Sequence, residues 1–213
     1  MTIHAPLFIV LLPVSAALLC MLFSRIQKNL GSWIVIASIV GAFLSAVTSL
    51  QRVIADGGKP IHYWMGNWQP PLGIEFVIDP ISGALAVLIT FISLLGAIYS
   101  LPFVKEEGWL HIGGYYTLYG LMTVGMCGMV ITGDVFNLYV FLEVMSLSGY
   151  GLIAIGGKKS MLAAFRYLLI GTIGASLYLL GVGYMYALTG TLNMADMAVR
   201  AAEFLNYPLF ALA

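Results

Sequence analysis

The chain has 213 residues, of which 61% are hydrophobic and 8% charged, against roughly 25% charged in an ordinary soluble domain, and its mean hydropathy is +1.00. This excludes a soluble globular domain and describes a multi-pass membrane protein, expected in a cell (inner) membrane. Nine basic and nine acidic residues leave no net charge, so nothing argues for a nucleic acid or an acidic partner, and partners are sought inside the bilayer.

Apolar runs of spanning length predict six helices: about Pro6 to Phe23, Ser32 to Ile54, Pro80 to Phe103, Tyr115 to Thr132, Val135 to Ile155 and Met161 to Ala187. A seventh is expected to begin at Tyr207. Continuous apolar runs of about 20 residues do not alternate as barrel strands do, so the fold class is all-α, a polytopic helix bundle. The run near the N-terminus has no basic segment before it, and Leu18-Leu19 before Cys20 lack the small residues of a cleavage site, so the first helix reads as retained. Cys20 and Cys127 lie in apolar runs of different helices and read as small buried hydrophobes.

Lysine and arginine favour the cytoplasmic side. The first, third and fifth connections carry Arg25, Lys28, Lys105, Lys158 and Lys159, and the second, fourth and sixth carry Arg52, Lys59 and Arg200, which puts the N-terminus outside. The longest connection, 55–79, holds Gly57, Gly58, Pro60, Pro70 and Pro71 together with Tyr63, Trp64 and Trp68, the composition of an ordered outer cap with interfacial aromatic anchors. His62 within it reads as a surface or hydrogen-bonding residue, because no Cys, His or carboxylate stands at metal spacing, and His4 and His111 have no better support as ligands. Asp79-Pro80 opens the third helix with a cap acceptor and a first-turn proline. Gly133-Asp134 separates the fourth and fifth helices so briefly that they must be antiparallel, with Asp134 weighted as a helix cap. The chain reads as one membrane domain, 1–213. Residues 1–103 are its peripheral first three helices, 113–187 the beginning of an ion-translocating unit, and 188–213 an outer connection leading to helix seven.

The fifth predicted helix carries the chemistry. Glu143 stands nine residues past Asp134, about 13 Å into a hydrocarbon layer about 30 Å thick. A charge near the midplane costs roughly 2.5 to 3.5 kcal/mol even on insertion scales, so such residues face a bundle interior and mark ion or proton routes. Tyr139, Glu143, Ser146 and Tyr150 are spaced by four, three and four residues and share one helix face. For the two tyrosines and the serine, hydrogen bonding between helices outweighs a relay role; for the carboxylate, function outweighs structure. Arg166, on the sixth helix about 10 Å from the inner boundary, falls several ångströms short of the level of Glu143. A guanidinium keeps its proton, so Arg166 reads as electrostatic tuning, with snorkelling to the interface an equal alternative.

Glycines of the fourth to sixth helices, among them Gly125, Gly128, Gly151, Gly171 and Gly174, fit close helix approach, and Tyr116, Tyr119, Thr123 and Cys127 form a polar row on the fourth, expected to face that unit. No phosphate-cradling loop, metal cluster or nucleophile triad is present, so no cofactor or metal is expected and enzymatic chemistry in this chain is not supported.

Three segments, Gly133 to Glu143, Ala163 to Leu169 and Tyr186 to Asp196, resemble the antiporter-type proton-translocating subunits shared by complex I, Mrp-type cation/proton antiporters and membrane-bound hydrogenases, the Mrp D-type subunit most of all. The resemblance implies that Glu143 is the family's fifth-helix glutamate. It also implies partners among other membrane subunits of a multisubunit complex, with protons and Na+ as the transported ions. The family position matching Arg166 is usually lysine, which favours the electrostatic role over proton relay. Family members usually have about fourteen helices, and this sequence resembles their first two-fifths, either as one part of a naturally split subunit or as a fragment. Three functions stay open: an ion-translocating antiporter subunit, a membrane-arm subunit of a complex I-like or hydrogenase-like redox enzyme, and a structural piece whose carboxylate is a relic.

Overall fold

A computed structural model describes residues 4–27, 29–104 and 109–202. Lys28, Lys105 and the helix expected from Tyr207 lie outside the described residues. Among the described residues six helices are long and apolar enough to cross a membrane: α1 (Ala5–Ile26), α2 (Leu30–Ala55), α3 (Pro80–Val104), α4 (Trp109–Ile131), α5 (Val135–Ala154) and α6 (Lys158–Thr189). The predicted bounds hold to within a few residues except at the start of α4, where the Gly113-Gly114 pair does not break the helix. An eight-residue helix, α7 (Met194–Ala201), follows α6, with the Asn193 side chain accepting the Asp196 amide at its start.

The 55–79 connection is an antiparallel hairpin of β1 (Ile61–Trp64) and β2 (Glu75–Ile78), pairing Ile61 with Ile78 and Trp64 with Glu75. Gly57 and Gly58 end α2 at φ +72° and +83°, left-handed values that glycine adopts without a Cβ clash. Trp64 and Trp68 of this connection are exposed at 38% and 65%.

The hairpin marks one end of the bundle. The α2–α3, α4–α5 and α6–α7 connections gather there with the start of α1, where His4 Nδ1 lies 3.0 Å from the Tyr63 hydroxyl. The α1–α2, α3–α4 and α5–α6 connections lie at the other end, as the alternation of antiparallel spans requires.

Two clusters fill the core. Near the hairpin Ile9, Ala46, Val53, Phe76, Ile78, Ala86, Val124, Cys127, Ile131 and Phe141 pack together, and toward the far end Ala16, Cys20, Val35, Ile39, Ala97, Ile112 and Tyr116 do so. The core is therefore built from α1 to α4 and β2, with α5 joined through Phe141. Both cysteines are fully buried within it. Burial falls outward, from 44% of the spanning window in α2 and α4 to 17% in α5 and 6% in α6.

The two tyrosines of the polar row of α4 turn the other way from the expectation. The Tyr116 hydroxyl donates to Ala97 O at 3.1 Å and lies 3.0 Å from the Ser100 hydroxyl, and Tyr119 donates to Ser93 O at 2.9 Å, so both tyrosines satisfy α3. Periodicity identifies the face of α4 correctly, but a buried hydroxyl goes wherever an acceptor is offered, and the α3 carbonyls offer it.

Candidate functional site

The site begins at the α4–α5 turn. Asp134 has extended backbone and its carboxylate accepts the Asn137 amide at 2.7 Å, fixing the first turn of α5 as the sequence suggests. Burial pushes the Asp134 carboxyl above its ordinary value, while the Asn137 and Phe136 amides pull it back. Glycines on α4 let α5 come close: a Cβ on Gly128 would collide with the Phe141 ring, and one on Gly125 would stand 2.6 Å from the Met145 backbone nitrogen. Gly151 meets Leu118 in the same way at 2.8 Å. The close-approach reading thus holds for these positions, whereas Gly114, Gly149, Gly174 and Gly183 face open space.

The predicted stripe on α5 lies along the α5–α6 seam. At its hairpin end Tyr139 stacks on Tyr178 of α6, with centroids 6.5 Å apart and planes within 7°, and the Tyr178 hydroxyl donates to Val135 O at 3.0 Å. At its other end Tyr150 meets Tyr167 edge-on at 4.8 Å, and its hydroxyl occupies the space a Gly171 side chain would need. Glu143 and Ser146 sit between these aromatic pairs, both half-buried. Among the described residues the Glu143 carboxylate makes no hydrogen bond or ion pair.

Arg166 is exposed and adjoins Tyr167, hence lies at the level of Tyr150. Tyr150 is seven residues from Glu143, about 10 Å along the helix. The two charges are not a direct pair. The structure brings Tyr139, Glu143, Ser146 and Tyr150 to one seam and leaves Arg166 to one side of it. Among the described residues no three His, Cys, Asp or Glu side chains converge as a metal site. A half-buried carboxylate with no fixed partner, in a seam bounded by hydroxyl-bearing rings, can take up and release a proton without breaking an ion pair.

One polar residue is not signalled by the sequence. Glu75, at the start of β2, is 5% exposed. Its Oε1 accepts the Asn193 side-chain amide at 2.6 Å and its Oε2 lies 3.1 Å from His62 Nδ1. Its backbone carbonyl accepts the Gly133 amide at 3.0 Å, Val135 N donates to Leu192 O at 2.9 Å, and Met194 N donates to Gly133 O at 2.9 Å. Bridges pair Phe76 with Thr132 and Asp134 with Asn193. Hairpin, α4–α5 turn and α6–α7 connection are thereby knitted together where α5 starts. Asn193 is 118 residues from Glu75, so no local pattern signals the pair.

A family profile described as NADH:quinone oxidoreductase/Mrp antiporter, TM, matches residues 132–212, which include α5, α6 and α7. The whole chain is 43% identical to the N subunit of NADH-quinone oxidoreductase from Desulforudis audaxviator, covering 42% of that protein. Over 195 residues, 91% of this chain and 38% of the relative, it is 32% identical to the D-type Na(+)/H(+) antiporter subunit of Bacillus subtilis. Its fold superposes on a chain of the membrane-bound sulfane sulfur reductase, an archaeal respiratory membrane complex, with a TM-score of 0.90 and 31% identity, covering 98% of this chain and 42% of that one. The chain spans about two-fifths of the length of the relatives it matches. Matched in sequence and in fold, the chain is similar to about two-fifths of the antiporter-like membrane subunits of the NADH:quinone oxidoreductase/Mrp antiporter kind.

Proposed function

We propose that this chain forms part of an ion-translocating subunit of a multisubunit membrane complex, and that Glu143 carries protons across the middle of the bilayer, coupled to Na+ where the complex exchanges the two. The observation that carries this reading is the half-buried carboxylate at the ninth of twenty positions in α5, with no described partner, between two aromatic pairs of the α5–α6 seam. Tyr139, Ser146 and Tyr150 line the approaches and offer hydroxyls to water in the seam, and Arg166 shapes the field from the side. The hairpin end faces outward, in keeping with the excess of basic residues at the other end. One charge moved through 100 mV is worth about 2.3 kcal/mol, so an ordinary membrane potential drives such a carrier.

Energy reaches the complex by one of two routes. Similarity to a D-type antiporter subunit supports exchange driven by a gradient, and the higher identity to an NADH-quinone oxidoreductase subunit supports coupling to a redox reaction in neighbouring subunits. Partners identified by mass spectrometry after mild solubilisation separate the two: iron–sulfur or nickel proteins accompany the redox form and small hydrophobic subunits alone the antiporter. The test of Glu143 is transport in vesicles that carry Glu143→Gln, which keeps size and removes ionisation. Translocation is expected to cease while the complex stays assembled; undiminished translocation overturns the reading.

A further inference from the structure

We propose that Glu75, Asn193 and His62 form a clamp that positions the hairpin end of α5, and that His62 makes its grip depend on the pH at that face. As a device acting on transport, the clamp rests on the reading of Glu143 given above.

Glu75 is 5% exposed, yet its side chain reaches no lysine or arginine among the described residues; its two oxygens meet the Asn193 amide and the His62 ring. A buried carboxylate is costly unless its hydrogen bonds and charge are answered. Asn193 answers one oxygen at 2.6 Å, and His62 answers the other at 3.1 Å, fully only when the imidazole is charged. Histidine changes charge between about pH 5 and 8. The His62 side chain is 47% exposed and lines a cleft of about 610 Å³ with Glu75, Asn193, Asp196 and Arg200, so protons from that side reach it without crossing the bundle.

The other charges nearby are engaged or more remote. Arg200 pairs with Asp196 at 2.9 Å and donates to Thr189 O, and Arg52 lies 4.0 Å from Asp56. Lys59 shares with Arg52 and Asp56 a second cleft that His62 also lines, His4 is turned to the Tyr63 hydroxyl, and Asp134 caps α5. His62 is the group whose ionisation Glu75 meets directly.

The backbone joins this pair to α5. Glu75 O holds the Gly133 amide, Gly133 O holds Met194 N, and Leu192 O holds Val135 N, so the residues that carry Glu75 and Asn193 also grip the two residues flanking the Asp134 cap. With His62 charged, the clamp contains a carboxylate with one amide and one cationic donor. With the imidazole neutral, the buried charge keeps Asn193 alone as a strong donor, and the first turn of α5 loosens.

The test uses the intact complex in vesicles with the pH on the hairpin face varied from about 5.5 to 8.5, spanning the histidine range, while the other face is held constant. Transport and hydrogen–deuterium exchange of peptides covering 132–137 are both read, exchange being expressed throughout relative to the intrinsic rate of an unstructured amide at the same pH. In the native protein, exchange there is expected to quicken by roughly tenfold across neutrality, the scale of one charge-assisted hydrogen bond, and the transport rate is expected to change over the same interval. His62→Gln is expected to hold both at their alkaline level at every pH, and Glu75→Gln to remove the pH dependence as well. Should Glu75→Gln fail to assemble, the half-exposed His62 variant decides alone. Unaltered pH dependence of exchange in His62→Gln overturns the clamp. The exchange readout keeps the two readings distinguishable: a Glu143→Gln complex that still transports, with a pH step in exchange that His62→Gln removes, refutes the carrier and leaves the clamp standing.

Discussion

Gly125→Ala tests the α4–α5 seam that places Glu143. An added Cβ would stand 2.6 Å from both the Met145 Cβ and its backbone nitrogen and 2.7 Å from Phe141 O, against 3.4 Å for ordinary contact. Two of these atoms are helix backbone, which no rotamer change moves aside. The helices must separate by about 0.8 Å, and a gap of that size forfeits a quarter to a half of the local dispersion attraction. Overpacking of this kind costs about 1 to 3 kcal/mol, near the upper part of that range where backbone is struck. Replacing a helical glycine by alanine returns about 1 kcal/mol. The expected balance is a loss of about 1 to 2 kcal/mol, read as a lower unfolding temperature of the chain in detergent. Gly174→Ala, where nothing lies within 4 Å, is expected to gain stability. Because α5 is displaced by most of an ångström, proton transport through Gly125→Ala is also expected to fall, on the order of tenfold or more. A Gly125→Ala chain as stable as Gly174→Ala, with native transport, refutes the close packing that sets the position of Glu143.

Two further expectations follow from single residues. The Asp79 carboxylate accepts the Ser82 amide at 2.6 Å while the Ser82 hydroxyl accepts the Asp79 amide at 2.8 Å, and the Ser82 amide holds the Asp79 carboxyl below its ordinary range. The charged share of this cap is complete above the ordinary carboxylate range and is lost as pH falls through the lowered value. Asp79→Ala is therefore expected to cost about 1 kcal/mol near neutrality, with the difference from the native chain shrinking in strong acid; a difference that grows in acid contradicts the assignment. Arg166 supplies charge without a described ion-pair partner, so Arg166→Lys is expected to keep most transport and Arg166→Gln to slow it, measured in vesicles; equal rates in the native protein and Arg166→Gln place the side chain at the interface without influence on Glu143.

The membrane spans are legible in the sequence because one physical demand, an apolar run long enough for the bilayer with its backbone bonds closed, writes itself into contiguous residues. The caps at Asp79 and Asp134 are legible for the same reason, since a cap and the amides it satisfies lie within three residues. The stripe from Tyr139 to Tyr150 can be drawn from helical spacing, and its place on the α5–α6 seam follows from tyrosines and a glycine at matching levels. Spacing does not reveal which neighbour a face meets, and so the Tyr116 and Tyr119 hydroxyls satisfy carbonyls of α3 where the later helices are expected. Glu75 escapes a reading of the sequence because its partner stands 118 residues away in a short segment before α7. A carboxylate in a loop rich in turn residues looks solvated until the chain that buries it is in place.

The central claim is that Glu143 changes its protonation state in the middle of the membrane. Infrared difference spectra of the intact complex, recorded between acidic and alkaline conditions, detect a protonated carboxyl group directly through its carbonyl stretch. A carboxyl band that titrates with pH in the native complex and is absent in Glu143→Gln is the predicted result. A spectrum in which every titrating carboxyl band survives that substitution contradicts it.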